Sequence, residues 1–153
     1  MTEEIKIYDQ MIGKVFTKVH IIKESENPTG YPIQKFNSYS KEYYTEKQWG
    51  DIIIFENDAE VVYFYHQGQC CEDVHVDDIV GELSLLENSP ILMAEELTRY
   101  VDNPQDYDEY SLTFTFYKFA TVNGHVNIKW YGSSNGFYSE EVDHSHYEKT
   151  LPL

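Results

Sequence analysis

Apolar residues in this chain recur mostly at every second position, the period of half-buried strands. "GKVFTKVHII" (13–22) alternates in this way. "DIIIFE" (51–56) and "AEVVYFYH" (59–66) are denser apolar runs on either side of Asn57-Asp58, a tight-turn pair. "SLTFTFYKFAT" (111–121) and "HVNIKWYGSS" (125–134) are rich in β-branched and aromatic residues, with the hairpin signal Asn123-Gly124 between them. Asn135-Gly136 marks another turn before "FYSEEV", so this part predicts a three-stranded antiparallel meander. Within it, alternation puts Thr113, Thr115, Tyr117 and Phe119 on one face and Phe114, Phe116 and Lys118 on the other. Val126, Ile128 and Trp130 point to the core, whereas Asn127, Lys129 and Tyr131 share a wet face that still carries a ring.

Other stretches depart from the two-residue period. Val76, Ile79, Val80, Leu83 and Leu86 fall at i, i+3, i+4, i+7 and i+10, which predicts a helix capped by Asp77 or Asp78 and stopped before Pro90. Gly81 inside that helix would cost about 1 kcal/mol against Ala. "PILMAEEL" (90–97) has the composition of a buried strand, and "DNPQDYDEY" (102–110) that of an acidic loop. Residues 24–49 are polar, without a period, and carry two Pro and six aromatic residues, so they predict a long insertion between strands. The expected architecture is α+β: a single domain over residues 1–153, built as a twisted antiparallel sheet of about six strands with one main helix packed on it.

Composition adds two signals. Aromatic content is 16%, with 14 Tyr, and tyrosine suits half-wet surfaces and interfaces. Eleven Lys+Arg face 27 Asp+Glu, for a net charge of −16, so the surface repels nucleic-acid phosphates and neither DNA nor RNA is an expected partner. The acidity also leaves open an acidic protein-binding inhibitor of the DNA-mimic type, although the acids are spread along the chain. The opening residues do not read as a signal peptide, and no apolar run is long enough to span a membrane. Adjacent Cys70 and Cys71 are expected to remain separate packed thiols, which fits a reducing cytoplasm.

Candidate chemistry is sparse. His66, Cys70, Cys71 and His75 do not have the spacing of a zinc site, and Asp73 with His75 does not define a base for a cysteine nucleophile. No phosphate-cradling glycine motif is present. Between residues 100 and 148, Lys118 and Lys129 are the sole cations, among eight acids. Each either pairs with those acids or is reserved for an anionic ligand.

"QCCEDVHVDDIVGELSLLENSPILMAEE" and "FTFYKFATVNGHVNIKWYGSSNGFYSEEVD" resemble the Thoeris anti-defence sponge family of phages, first type. The resemblance covers residues 13–22 and about 59–143. It implies a non-enzymatic protein in the cytoplasm of an infected bacterium, without cofactor or metal. Such a protein binds the cyclic ADP-ribose signal of a TIR enzyme, and in some members cyclic oligonucleotides, without cleaving it. It also implies a homo-dimer or larger homo-oligomer. The family's arginine before Trp-Tyr-Gly falls on Lys129, which is expected to meet phosphate with Arg99. Lysine keeps that charge and loses the bidentate fork. Tyr131, Tyr110 and Phe137 are expected to stack on or line the ligand, and Asn135 to shape the turn or add a polar contact. A signal-cleaving hydrolase is the remaining functional class.

Overall fold

Alternation dominates the structure more completely than the sequence predicts. The computed structural model describes residues 6–101 and 111–149, and its one α-helix, α1, is the four-residue Ile7–Gln10. Ten strands come after it: β1 (Lys18–Ile22), β2 (Tyr31–Asn37), β3 (Glu42–Gln48), β4 (Ile52–Glu56), β5 (Glu60–Tyr65), β6 (Asp73–Val80), β7 (Met93–Val101), β8 (Ser111–Thr121), β9 (Gly124–Ser134) and β10 (Asp143–Glu148). They form a sheet β1-β4-β5-β10, a sheet β6-β9-β8-β7 and a β2-β3 hairpin, with every pairing antiparallel. The expected α+β fold with one main helix on about six strands is therefore wrong. The protein is mostly β, with two four-stranded sheets packed face to face.

The main core lies between those sheets. Phe55, Val62 and Phe64 of the first sheet meet Tyr117, Phe119, Val126, Ile128 and Trp130 of the second. Aromatic rings pack edge to face across the layer, as at Phe64 and Tyr117, whose centroids are 5.0 Å apart. Thr113, Thr115, Tyr117 and Phe119 are all buried, and so are Val126, Ile128 and Trp130, as their alternation predicts.

Residues 24–49, inserted between the paired strands β1 and β4, hold a 3-10 turn at Glu24–Glu26 and then the β2-β3 hairpin, which lies on the outside of the first sheet. Ile33, fully buried, packs with Ile52, Ile54, Val61, Tyr63 and Tyr65 in a second core. The first sheet is therefore buried on both faces, which explains why β4 and β5 are apolar at nearly every position. Asp51 ties the layers together by accepting the backbone N–H of Glu24 on one oxygen (2.7 Å) and that of Val76 on the other (2.9 Å).

The predicted helix over 76–86 is a bulged strand followed by a 3-10 turn, Leu83–Leu86. Val76 pairs with Trp130 and Asp78 with Lys129, so Asp77 is an extra residue in the ladder. Val74, Val76 and Ile79 all pack on the main core. The bulge changes their spacing from two to three and so imitates a helical period. Gly81 then turns the chain at φ +99°, where an added Cβ would lie 2.8 Å from the His125 carbonyl oxygen. Gly81→Ala is expected to cost about 1–3 kcal/mol. An unchanged thermal midpoint would show that the turn relaxes without strain.

The segment after Asn135-Gly136 also departs from expectation. "FYSEEV" does not add a third strand beside β9; it crosses to the other sheet, where β10 pairs with β5. The meander is β7-β8-β9 instead. "PILMAEEL" begins buried at Ile91 and Ala94 and runs out as an edge strand with Leu97 exposed. Cys70 and Cys71 are joined in a disulfide, contrary to the expectation of separate thiols. Their turn is organised by Glu72, which accepts the backbone N–H groups of Gln69 and Cys70. Burial works to raise the Glu72 carboxyl, but those donors and His66 outweigh it and hold it down at about 2. Among the described residues no helix is long and apolar enough to cross a membrane.

Candidate functional site

The outer face of the second sheet is where rings and cations meet. Antiparallel register stacks its residues in rows that cross all four strands. One row runs Arg99, Phe114, Tyr131, His75; the next Leu97, Phe116, Lys129, Asp78; the third Glu95, Lys118, Asn127, Val80. Rows on one face repeat about every 7 Å along the strands, and neighbouring strands are about 5 Å apart. The face thus offers a surface on the scale of a nucleotide.

Arg99, Lys118 and Lys129 are all the Lys and Arg residues of β6–β9, and all three lie in these rows. Lys129 Nζ lies 4.6 Å above the Phe114 ring and 3.2 Å from Asp77 Oδ2. The Tyr131 ring is 5.0 Å from His75, tilted by 34°, and 5.9 Å edge-on from Phe114. A groove of about 730 Å³ runs beside them, walled by Val80, Leu97, Phe116, Lys118 and Lys129 together with the acids Asp78, Glu95 and Glu96. Four acids, Asp73, Asp77, Asp78 and Glu95, stand against the three cations. This face is therefore nearly neutral on a chain of net charge −16.

Two other hollows have different chemistry. One, of about 470 Å³, opens between the sheets and is lined by Glu96, Glu141, Asp143, His144 and Thr residues. There the Tyr117 hydroxyl donates to Glu96 at 2.5 Å and meets His144 Nε2 at 2.7 Å. Burial, then nearby Lys6, lowers the His144 pKa to about 4, so the ring is neutral at pH 7. Three carboxylates and one lysine, Lys6, line that cavity, against three carboxylates and two lysines at the outer groove. The other, of about 600 Å³, lies under the hairpin beside Phe36, Tyr43, Tyr44 and Tyr65. Its lysine, Lys35, is already held by Gln67 at 2.5 Å and Glu46 at 3.3 Å.

Of the residues expected at the site, Lys129, Arg99 and Tyr131 share the outer face. Asn135 and Phe137 lie beyond the end of β9. Asn135 Oδ1 accepts the backbone N–H of Phe137 at 3.0 Å, which makes it a turn residue, and Phe137 is exposed outside the three rows. Tyr110 lies outside the described residues, as does Tyr107. Alternation groups Phe114, Phe116 and Lys118 on one face of their strand and sets Asn127 on a wet face, but it does not join them into one site. In the sequence His75 stands out only as a candidate zinc ligand or base, because its segment reads as leading into a helix. His75 Nδ1 is 2.8 Å from Asp73 Oδ1.

Rings set beside cations suit a planar, anionic group. Stacking on a base contributes about 1–3 kcal/mol, and phosphate oxygens accept from Lys and Arg. The family profile of a domain of unknown function, DUF7448, matches residues 6–144. No curated protein and no solved structure matches the chain.

Proposed function

We propose, for a chain that belongs to the DUF7448 family of domains of unknown function, that it is a non-enzymatic binding protein for an anionic nucleotide of the cyclic ADP-ribose type. The observation that supports this most is the gathering of every cation of β6–β9 onto the outer face, beside Phe114, Phe116, Tyr131 and His75. Phe114, Tyr131 and His75 stack on or border the base. Lys129, Arg99 and Lys118 meet phosphate oxygens. The resemblance supplies the setting: sequestration of a signal of bacterial TIR immunity in the host cytoplasm, by a homo-dimer or larger homo-oligomer.

Calorimetry with cyclic ADP-ribose isomers and cyclic oligonucleotides tests the reading. No heat from any of them, at ligand near millimolar, sinks it. Ligand recovered intact after heating the complex separates sequestration from hydrolysis, whereas product on incubation establishes an enzyme. Lys129→Ala is expected to weaken binding at least ~10-fold, about 1.4 kcal/mol. An unchanged affinity removes Lys129 from the site. The net charge of −16 favours one other reading, the acidic protein-binding inhibitor. It requires binding to a basic protein that weakens steeply with salt, with no nucleotide affinity.

A further inference from the structure

We infer that Asp77 determines how much negative charge a ligand on this face can carry; the inference rests on the nucleotide reading above. In a regular strand successive side chains alternate, so only one of two adjacent acids can share a face with Lys129. The β6 bulge removes that restriction. Asp78 stands opposite Lys129 in register and lines the outer groove, and Asp77, the inserted residue, places its Oδ2 3.2 Å from the Lys129 ammonium. Bulges re-aim side chains in this way.

The ammonium is thus held between a carboxylate and the Phe114 ring, 4.6 Å below it. Both partners of the pair are part-exposed, Lys129 by 37% and Asp77 by 41% of the side chain, so a ligand oxygen can reach the ammonium. A phosphoryl oxygen that does so shares it with Asp77 and brings like charges close together. Each phosphorus of an internal diphosphate carries one negative charge, and a terminal phosphate adds a further one. Repulsion from Asp77 grows with that total. The site therefore favours nucleotides whose phosphates are all internal, as in a cyclic dinucleotide or cyclic ADP-ribose, over linear nucleotides that end in phosphate.

Affinities of the wild type, Asp77→Asn and Asp78→Asn for cyclic ADP-ribose, ADP and ATP, at one low ionic strength, test this. Asparagine keeps the shape of the bulge residue, and circular dichroism checks that each variant is folded. Asp77→Asn is expected to strengthen ATP binding more than cyclic ADP-ribose binding, narrowing their ratio at least ~5-fold. Asp78→Asn narrows it less, because its carboxylate is not the one on the ammonium. An unchanged ratio in Asp77→Asn, with binding retained, overturns the inference alone. Equal effects of the two variants also overturn it, since they indicate a diffuse field rather than a pair. No binding of any nucleotide by wild type and variants overturns the nucleotide reading and the inference with it.

Discussion

Phe64→Ala is expected to cost about 3–5 kcal/mol, the largest stability loss expected of any substitution named for this protein. Phe64 is fully buried at the centre of the inter-sheet layer. Its ring centroid lies 5.8 Å from Phe55, 5.0 Å from Tyr117, 5.7 Å from Phe119 and 4.9 Å from His144. These neighbours belong to β4, β8 and β10, so both sheets lose packing at once. Strands hydrogen-bonded on each side of a cavity cannot close in to fill it, which puts the site at the costly end of large-to-small changes. A domain of this size has about 5–15 kcal/mol in all, so the variant approaches the unfolding threshold. Urea denaturation followed by tryptophan fluorescence measures the loss. A cost below about 1 kcal/mol would show that the inter-sheet layer is not the core described here.

Glu140→Ala comes next, at about 2–3 kcal/mol. Glu140 is 8% exposed, within the crossing that carries the chain from β9 to β10. One carboxylate oxygen accepts the hydroxyls of Thr113 (2.7 Å) and Ser111 (3.1 Å), and the other accepts that of Ser134. Removing the carboxylate leaves buried hydroxyls of β8 and β9 without it. It also loosens a backbone approach in which a Cβ on Gly132 would lie 2.8 Å from the Glu140 carbonyl oxygen. Glu140→Gln keeps the shape and the acceptor and is expected to lose about half as much. Glu141→Ala is the control, because that neighbour is exposed. If Glu141→Ala were as damaging as Glu140→Ala, the crossing would not be latched by the buried carboxylate.

The second-sheet hairpin was readable in the sequence because each strand signal there is local. Alternation from Thr113 to Phe119 and from Val126 to Tyr131 separates the inner from the outer face without reference to the rest of the chain. Elsewhere the deciding contacts are distant. One inserted residue, Asp77, gives Val76 and Ile79 a helical spacing, and only the register with β9 reveals the strand. Asn135-Gly136 does turn the chain, yet β10 beyond it pairs with Tyr65 and Phe64, far earlier in the sequence, rather than with β9. The 24–49 segment has no clean apolar stripe because Ile33 alone supplies its fully buried aliphatic anchor. The site was legible in part for the same reason. Lys129 and Tyr131 stand out within one strand, whereas their alignment with Arg99 and His75 exists only across four.

The hairpin that covers the first sheet also makes the molecule one-sided. Both faces of that sheet and the inner face of the second are committed to packing, which leaves one broad sheet face uncovered by the described residues. Substitutions in the three outer rows can change rings and charges while the side chains between the sheets stay as they are. Such a fold tolerates drift on its outer sheet face far more readily than between its sheets. On the binding reading proposed above, chains that share this architecture over residues 6–144 are free to differ in the ligand they take.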